Sequence, residues 1–135
     1  MPFLGAWEGT EASWPNRHET LAISKSGDWA IYLALSYGNE NDVAVETLVY
    51  DAARCKFELF IPMVGGGELV DVVRPDASTL QWTTHFGGPA GRTTLTLDRG
   101  KLHRTTELVD ADGKIYPTSD LLLEHKGTAK IGFAP

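Results

Sequence analysis

Two charged residues, Arg104 and Asp71, occupy positions in apolar runs where alternation turns side chains toward an interior. An inward polar group must be paired, or it must meet water or a ligand. Arginine suits recognition because its planar guanidinium makes two parallel hydrogen bonds to a carboxylate. We therefore predict that Arg104 binds a carboxylate or enolate and that Asp71 orients it. In the alternative, Arg104 stacks over Trp7 and has a purely structural role.

Further inward positions extend this predicted site. The ligand-binding set is completed by five residues: Trp82, Tyr37, Thr84, Trp29 and Phe57. The aromatic members line a slot for an aromatic or apolar ligand, or they fill a core, as aromatic residues commonly do. Three more polar residues are predicted to point inward: Thr47, Thr106 and Ser119.

The histidines could supply acid–base chemistry at the rim of the site, because imidazole titrates near neutral pH. Alternation turns His85 and His103 outward, which equally fits solvated surface side chains. No two histidines have metal-ligand spacing on one strand, and Cys55 is the only cysteine. We therefore predict no metal site, no cofactor and no intrachain disulfide. No residue is assigned as catalytic.

The elements that position these residues are short runs with the period-two alternation of β-strands. About ten runs are separated by turns rich in Gly, Asn and Asp, which tolerate the positive φ of tight hairpins. Connections this short permit only antiparallel neighbours, and residues 11–18 are predicted to form a loop. With no helix to cover a sheet edge, an all-β antiparallel meander of about 8–10 strands is expected to close into a barrel. A two-sheet sandwich is the alternative.

Composition limits the classes of partner. The chain of 135 residues is 42% hydrophobic and fits one domain, 1–135, with a core of its own. Its net charge is −6, and its 12 basic residues form no run, so we predict no nucleic-acid and no membrane partner. The first residues lack the pattern of a signal peptide, and a cytoplasmic location is the expectation. A homodimer is compatible with this composition.

The opening Gly5-Ala6-Trp7 resembles the first-strand Gly-x-Trp motif of the lipocalin-like (calycin) barrels. Residues 49–57 are similar to the mid-chain hairpin of small bacterial lipocalin-like proteins. The resemblance implies a barrel with a cavity, in which Trp7 plugs one end and a late basic residue packs across it. Fatty-acid-binding proteins differ by a helical pair after the first strand, for which residues 11–18 are too short. Nitrobindin-like haem barrels differ by a ligand histidine near the start of the last strand, where residues 116–120 have none.

Three functions follow from this reading. The first is binding of a small, largely apolar or aromatic and potentially anionic ligand inside the barrel. The second is an isomerase, cyclase or hydro-lyase that uses Arg104, Asp71, Tyr37 or a rim histidine. The third is a filled barrel that serves protein–protein contact. An empty cavity over roughly 300 Å³ favours the first two functions. A buried titratable group with a strongly shifted pKa favours the enzyme, and a solid core leaves only the third function.

Overall fold

Ten strands make up the computed structural model, which describes residues 3–11, 14–26, 30–37, 43–51, 53–54, 56–63, 66–85 and 90–128. They are β1 (Gly5–Glu11), β2 (Trp14–Ser26), β3 (Ala30–Tyr37), β4 (Val43–Asp51), β5 (Lys56–Met63), β6 (Gly66–Asp76), β7 (Thr79–Thr84), β8 (Ala90–Asp98), β9 (Lys101–Val109) and β10 (Ile115–His125). Each strand pairs antiparallel with the next, and β1 pairs with β10. The predicted closed meander is confirmed, and the sandwich is not formed. Within the described ranges, no helix has the length and apolar character needed to cross a membrane.

Tight turns fix the register of the strands. Asp98 pairs with Lys101 across a two-residue turn, in which Arg99 (φ 52°) and Gly100 (φ 77°) both have left-handed backbone conformations. This geometry matches the right-handed twist of the flanking strands. At the β6–β7 turn, the Asp76 carboxylate accepts hydrogen bonds from the Ser78 N–H (2.7 Å) and the Thr79 hydroxyl (3.2 Å). Such short connections determine which residues oppose one another and which face the interior.

The end of the barrel that carries these two turns, here called the lower end, contains the hydrophobic core. Thirteen buried residues form it: Phe3, Trp7, Leu21, Ile23, Leu48, Leu59, Val70, Leu80, Trp82, Leu95, Leu102, Leu121 and Leu123. The Trp7 indole N–H donates to the Phe3 carbonyl (3.0 Å). The His125 ring stands edge-on to Trp7, with ring centroids 4.9 Å apart. His125 is therefore the late basic residue at Trp7, and the predicted alternative of Arg104 stacked there is wrong.

The connection between β1 and β2 is shorter than predicted. β1 ends at Glu11 and β2 begins at Trp14, so the expected loop over residues 11–18 is wrong. The two intervening residues leave no room for a helical pair, as the sequence indicated. The upper end of the barrel, where residues 110–114 join β9 to β10, therefore has no helical cover from this position.

Two strands present the face opposite to the predicted one. In β6, Val70 is buried, whereas Leu69 is 58% exposed and Asp71 shares its outer face. In β4, Leu48 is buried, and Thr47 pairs with the exposed Phe60, so the inward prediction for Thr47 is wrong. Both runs are apolar on both faces, and alternation alone does not say which face is inside, since a one-residue slip exchanges them.

Candidate functional site

The interior changes from apolar to polar along the barrel axis. On β9, the inward row runs upward from Leu102 through Arg104 to Thr106. The same change occurs on β8, where Thr93 lies above the buried Leu95. The inward polar residues of the upper half, taken over all strands whose side chains are described, are Glu19, Glu46, Glu68, Thr84, Thr93, Arg104, Thr106 and Ser119. The upper half of the barrel is therefore the candidate site.

Arg104 lies on the inner wall, as predicted. It pairs with Leu95 on β8 and with Leu121 on β10, both of which are fully buried. Directly opposed residues in an antiparallel sheet point to the same face, so the Arg104 side chain points inward with them. It makes no hydrogen bond or ion pair with any residue in the described part of the chain. The guanidinium is thus presented to the interior.

Glu46 faces Arg104 from the opposite wall. It shares the inner face of β4 with Leu48, and β4 lies five strands from β9 in either direction around the barrel. Burial raises the pKa of the Glu46 carboxyl, and the positive charge of Arg104 lowers it by a smaller amount. Because the two strands are not neighbours, this charge interaction crosses the interior.

The two groups face each other without touching. No guanidinium nitrogen of Arg104 lies within the 4.0 Å of a Glu46 oxygen that defines an ion pair, and both residues are among those described. The Glu46 carboxyl likewise accepts no hydrogen bond from the described residues. A donor and an acceptor therefore face each other from opposite walls of the barrel.

A second carboxyl group belongs to the same upper interior. Glu19 is 1% exposed, and both of its carboxylate oxygens are shielded from solvent. It alternates in phase with the buried Leu21 and Ile23 of β2 and pairs with Gly9 on β1. Glu19 makes interactions of its own, so it is a second carboxyl of the interior and not a free group.

The remaining predicted site residues have three different outcomes. Trp82 and Thr84 are buried and inward on β7, and the Thr84 hydroxyl donates to the Gly91 carbonyl (3.3 Å). Phe57 is inward on β5 and packs against the core. The backbone of Tyr37 lies in β3, but its side chain and all of Trp29 lie outside the described residues.

Asp71 is the clear correction among the predicted site residues. Its side chain is 64% exposed on the outside of the barrel and forms an ion pair with Lys56 (2.6 Å). The hydrogen bond from Lys56 lowers the pKa of the Asp71 carboxyl. Asp71 therefore does not orient Arg104. The carboxyl that faces Arg104 across the interior is that of Glu46.

The two histidines predicted to point outward, His85 and His103, lie on the outside of the barrel. His103 contacts Asp120 on the outer face of β9 and β10. The His85 backbone N–H donates to both oxygens of Glu68 (3.0 and 3.2 Å), which bridges the upper part of the β6–β7 seam. Below that bridge lies a cleft of about 360 Å³ whose lining includes Val70 and Trp82. No group of three His, Cys, Asp or Glu residues within the described ranges is arranged to hold a metal ion.

The sequence contained signals for two of the inward carboxyl residues, Glu19 and Glu46. Glu19 stands two residues before Leu21 in a clean alternation, so its inward direction could have been read. For Glu46, the pairing of Asp51 with Lys56 fixes the register of β4 and β5. Leu48 then lies opposite the inward Leu59, and Glu46, two residues before Leu48, points to the same face. What no local pattern indicates is that Glu46 and Arg104 face each other, because that depends on closure of the barrel.

Comparison with solved structures identifies the class of fold. A zebrafish ileal bile acid-binding protein in complex with cholic acid has a TM-score of 0.65 with this chain, at 16% identity over 93% of this chain and 100% of its own. A mutant of the fluorescent protein UnaG has a TM-score of 0.55, at 13% identity over 93% of this chain and 96% of its own. No protein-family model matches the sequence, and no curated protein matches it significantly. The chain thus shares the closed β-barrel fold of these two proteins.

Proposed function

We propose that the protein binds one small, largely apolar or aromatic molecule inside the upper half of the barrel. The apolar part of the ligand rests on the core, on the side of Leu95 and Trp82, and its polar part lies between Arg104 and Glu46. The observation that carries the proposal is the inward guanidinium of Arg104, which no described protein group satisfies. Arg104 is half-buried, so its charge without a protein partner carries a desolvation cost, and a ligand that supplies the partner recovers that cost on binding.

The fold supports the same proposal. A bile acid-binding protein of the same fold was crystallised with cholic acid, a small molecule of this general kind. A barrel that serves only as a filled scaffold would be expected to satisfy its own interior charges. Arg104 and Glu46 face each other and do not pair, which argues against that alternative.

Native mass spectrometry of the protein purified from its own host tests the proposal. We expect one small molecule per chain, released by gentle denaturation. Thr106→Phe fills the upper interior and should remove the adduct. The matched variant Thr105→Phe adds the same ring on the outer face, because Thr105 pairs with the exposed Asp120, and should retain it. An adduct that persists equally in both variants would place binding elsewhere.

Glu46 also supports a second candidate, an enzyme that moves a proton. A carboxyl whose pKa is raised by burial is better suited to general acid–base catalysis near neutral pH, and Arg104 opposite it could stabilise a developing oxyanion. The test is incubation of the released ligand with the protein in D2O. Deuterium incorporation that Glu46→Gln abolishes would favour the enzyme. If the ligand stays unlabelled, binding without catalysis is the function that remains.

A further inference from the structure

We propose that the polar group of the ligand is uncharged and presents a hydrogen-bond acceptor beside a donor, as a carboxamide, lactam or urea does. Its carbonyl oxygen would accept from Arg104, and its N–H would donate to Glu46. This inference rests on the proposed function and specifies the chemistry of the ligand at that same site. When Arg104 is considered alone, a carboxylate ligand is predicted; when Glu46 is included, an uncharged ligand is predicted instead.

The donor and acceptor inventory of the two walls leads to this class. A guanidinium offers only donors, and an ionised carboxylate offers only acceptors. Since neither group has a hydrogen-bond partner within the described protein, a group between Arg104 and the ionised form of Glu46 must accept on one side and donate on the other. An amide does both within a few ångströms and carries no charge that either wall repels.

Charged ligands each meet one unfavourable wall. A carboxylate that contacts Arg104 is directed toward Glu46 across the interior, and Glu19 adds a second carboxyl to the same region. An ammonium group that contacts Glu46 is directed toward Arg104 instead. Like charges brought together inside the barrel are disfavoured, so the pair of walls selects against both.

Two hydroxyl groups make the neighbouring wall compatible with an amide. Thr106 is the next inward residue above Arg104, and it pairs directly with the buried Thr93 on β8. A hydroxyl can donate or accept, so these side chains can complete the hydrogen bonding of an amide in either orientation.

Four ten-carbon probes that differ only in their end group test the inference: decanamide, decanoate, decylamine and decan-1-ol. Their affinities are measured at neutral pH by displacement of N-phenyl-1-naphthylamine, an uncharged fluorescent dye. We expect decanamide to bind about tenfold or more tightly than decanoate and decylamine, the ratio typical of one hydrogen bond to a charged group.

Two interior variants should exchange the preference in opposite directions. Glu46→Gln removes the charge that repels anions, so decanoate should gain about tenfold. Arg104→Gln should weaken decanamide by about tenfold and improve decylamine. The matched controls Arg99→Gln and Glu124→Gln alter exposed residues and should leave all four affinities unchanged.

The outcomes separate this inference from the proposed function. If the dye binds and decanoate binds as tightly as decanamide, the amide inference is overturned while the proposed function stands. If neither the dye nor any probe binds to the folded protein, the proposed function fails and takes the inference with it. Circular dichroism melting shows whether each variant is folded. If Arg104→Gln does not fold, the affinity of Glu46→Gln for decanoate is sufficient to test the inference.

Discussion

Arg104→Met should leave the barrel almost as stable as the wild type. The substitution keeps a long side chain between Leu95 and Leu121 and removes no hydrogen bond to the described protein. It does remove the attraction to Glu46. At an effective dielectric constant of about 20, opposite charges at 4 Å attract by about 4 kcal/mol, and these two groups are farther apart. Arg104 is half-buried, so removal of its charge also recovers part of the desolvation cost of a buried ion. The two effects nearly cancel, and we expect a net change within about 1 kcal/mol.

Urea denaturation followed by circular dichroism measures this change, with Leu121→Ala as the comparison. Leu121 is fully buried, lies directly opposite Arg104 on β10, and contributes to the core. Its truncation should cost about 2–5 kcal/mol, because a cavity is left in a close-packed region. If Arg104→Met destabilises the protein as much as Leu121→Ala does, then Arg104 is a structural residue, and the account of the interior given above is incorrect.

Three further predictions concern the interior and its limits. Glu46→Gln should stabilise the folded state at neutral pH, because burial raises the pKa of Glu46 and so penalises its ionised form. This gain in the free energy of unfolding should vanish as the pH falls below the ordinary carboxyl value of 4.5. Urea denaturation at several pH values measures it. An unchanged gain at low pH would contradict this cause. Gly9→Ala should destabilise the barrel by about 1–3 kcal/mol, because a Cβ there would lie 2.2 Å from the Leu122 carbonyl oxygen; a melting temperature equal to that of wild type would refute the close approach of β1 and β10. Asp71→Asn should leave the affinity for N-phenyl-1-naphthylamine unchanged, because Asp71 lies outside the barrel; a lost affinity would return Asp71 to the site.

The architecture could be predicted because it depends on local signals. Alternation marks the strands, and turn residues such as those at positions 99–100 impose antiparallel neighbours. Closure then follows from the absence of any helix that could cover an edge. The extent of β2 could not be predicted in the same way, because Trp14-Pro15-Asn16 has the composition of a turn. The strand nevertheless begins at Trp14, which pairs with Glu11, and the register shifts before His18 pairs with Thr10.

The candidate site was only partly predictable. Arg104 and Trp82 were placed correctly because each shares the parity of a buried leucine on its own strand, Leu102 on β9 and Leu80 on β7. Asp71 was placed wrongly because β6 is apolar on both faces, and Glu46 was missed for the same reason on β4. Arg104 and Glu46 face each other only because the barrel is closed, since β9 and β4 are neither adjacent in the sheet nor consecutive in the chain.

The most direct test of ligand binding in the interior is a methyl NMR titration with N-phenyl-1-naphthylamine. The paired strands β8 and β9 provide two adjacent pairs of threonines on opposite faces: Thr93 with Thr106 inside, and Thr94 with Thr105 outside. We expect the methyl signals of Thr93 and Thr106 to shift and to saturate at one equivalent of dye, while those of Thr94 and Thr105 stay in place. Shifts confined to the outer pair, or no saturable shift at the inner pair, would contradict the claim that this barrel holds a ligand.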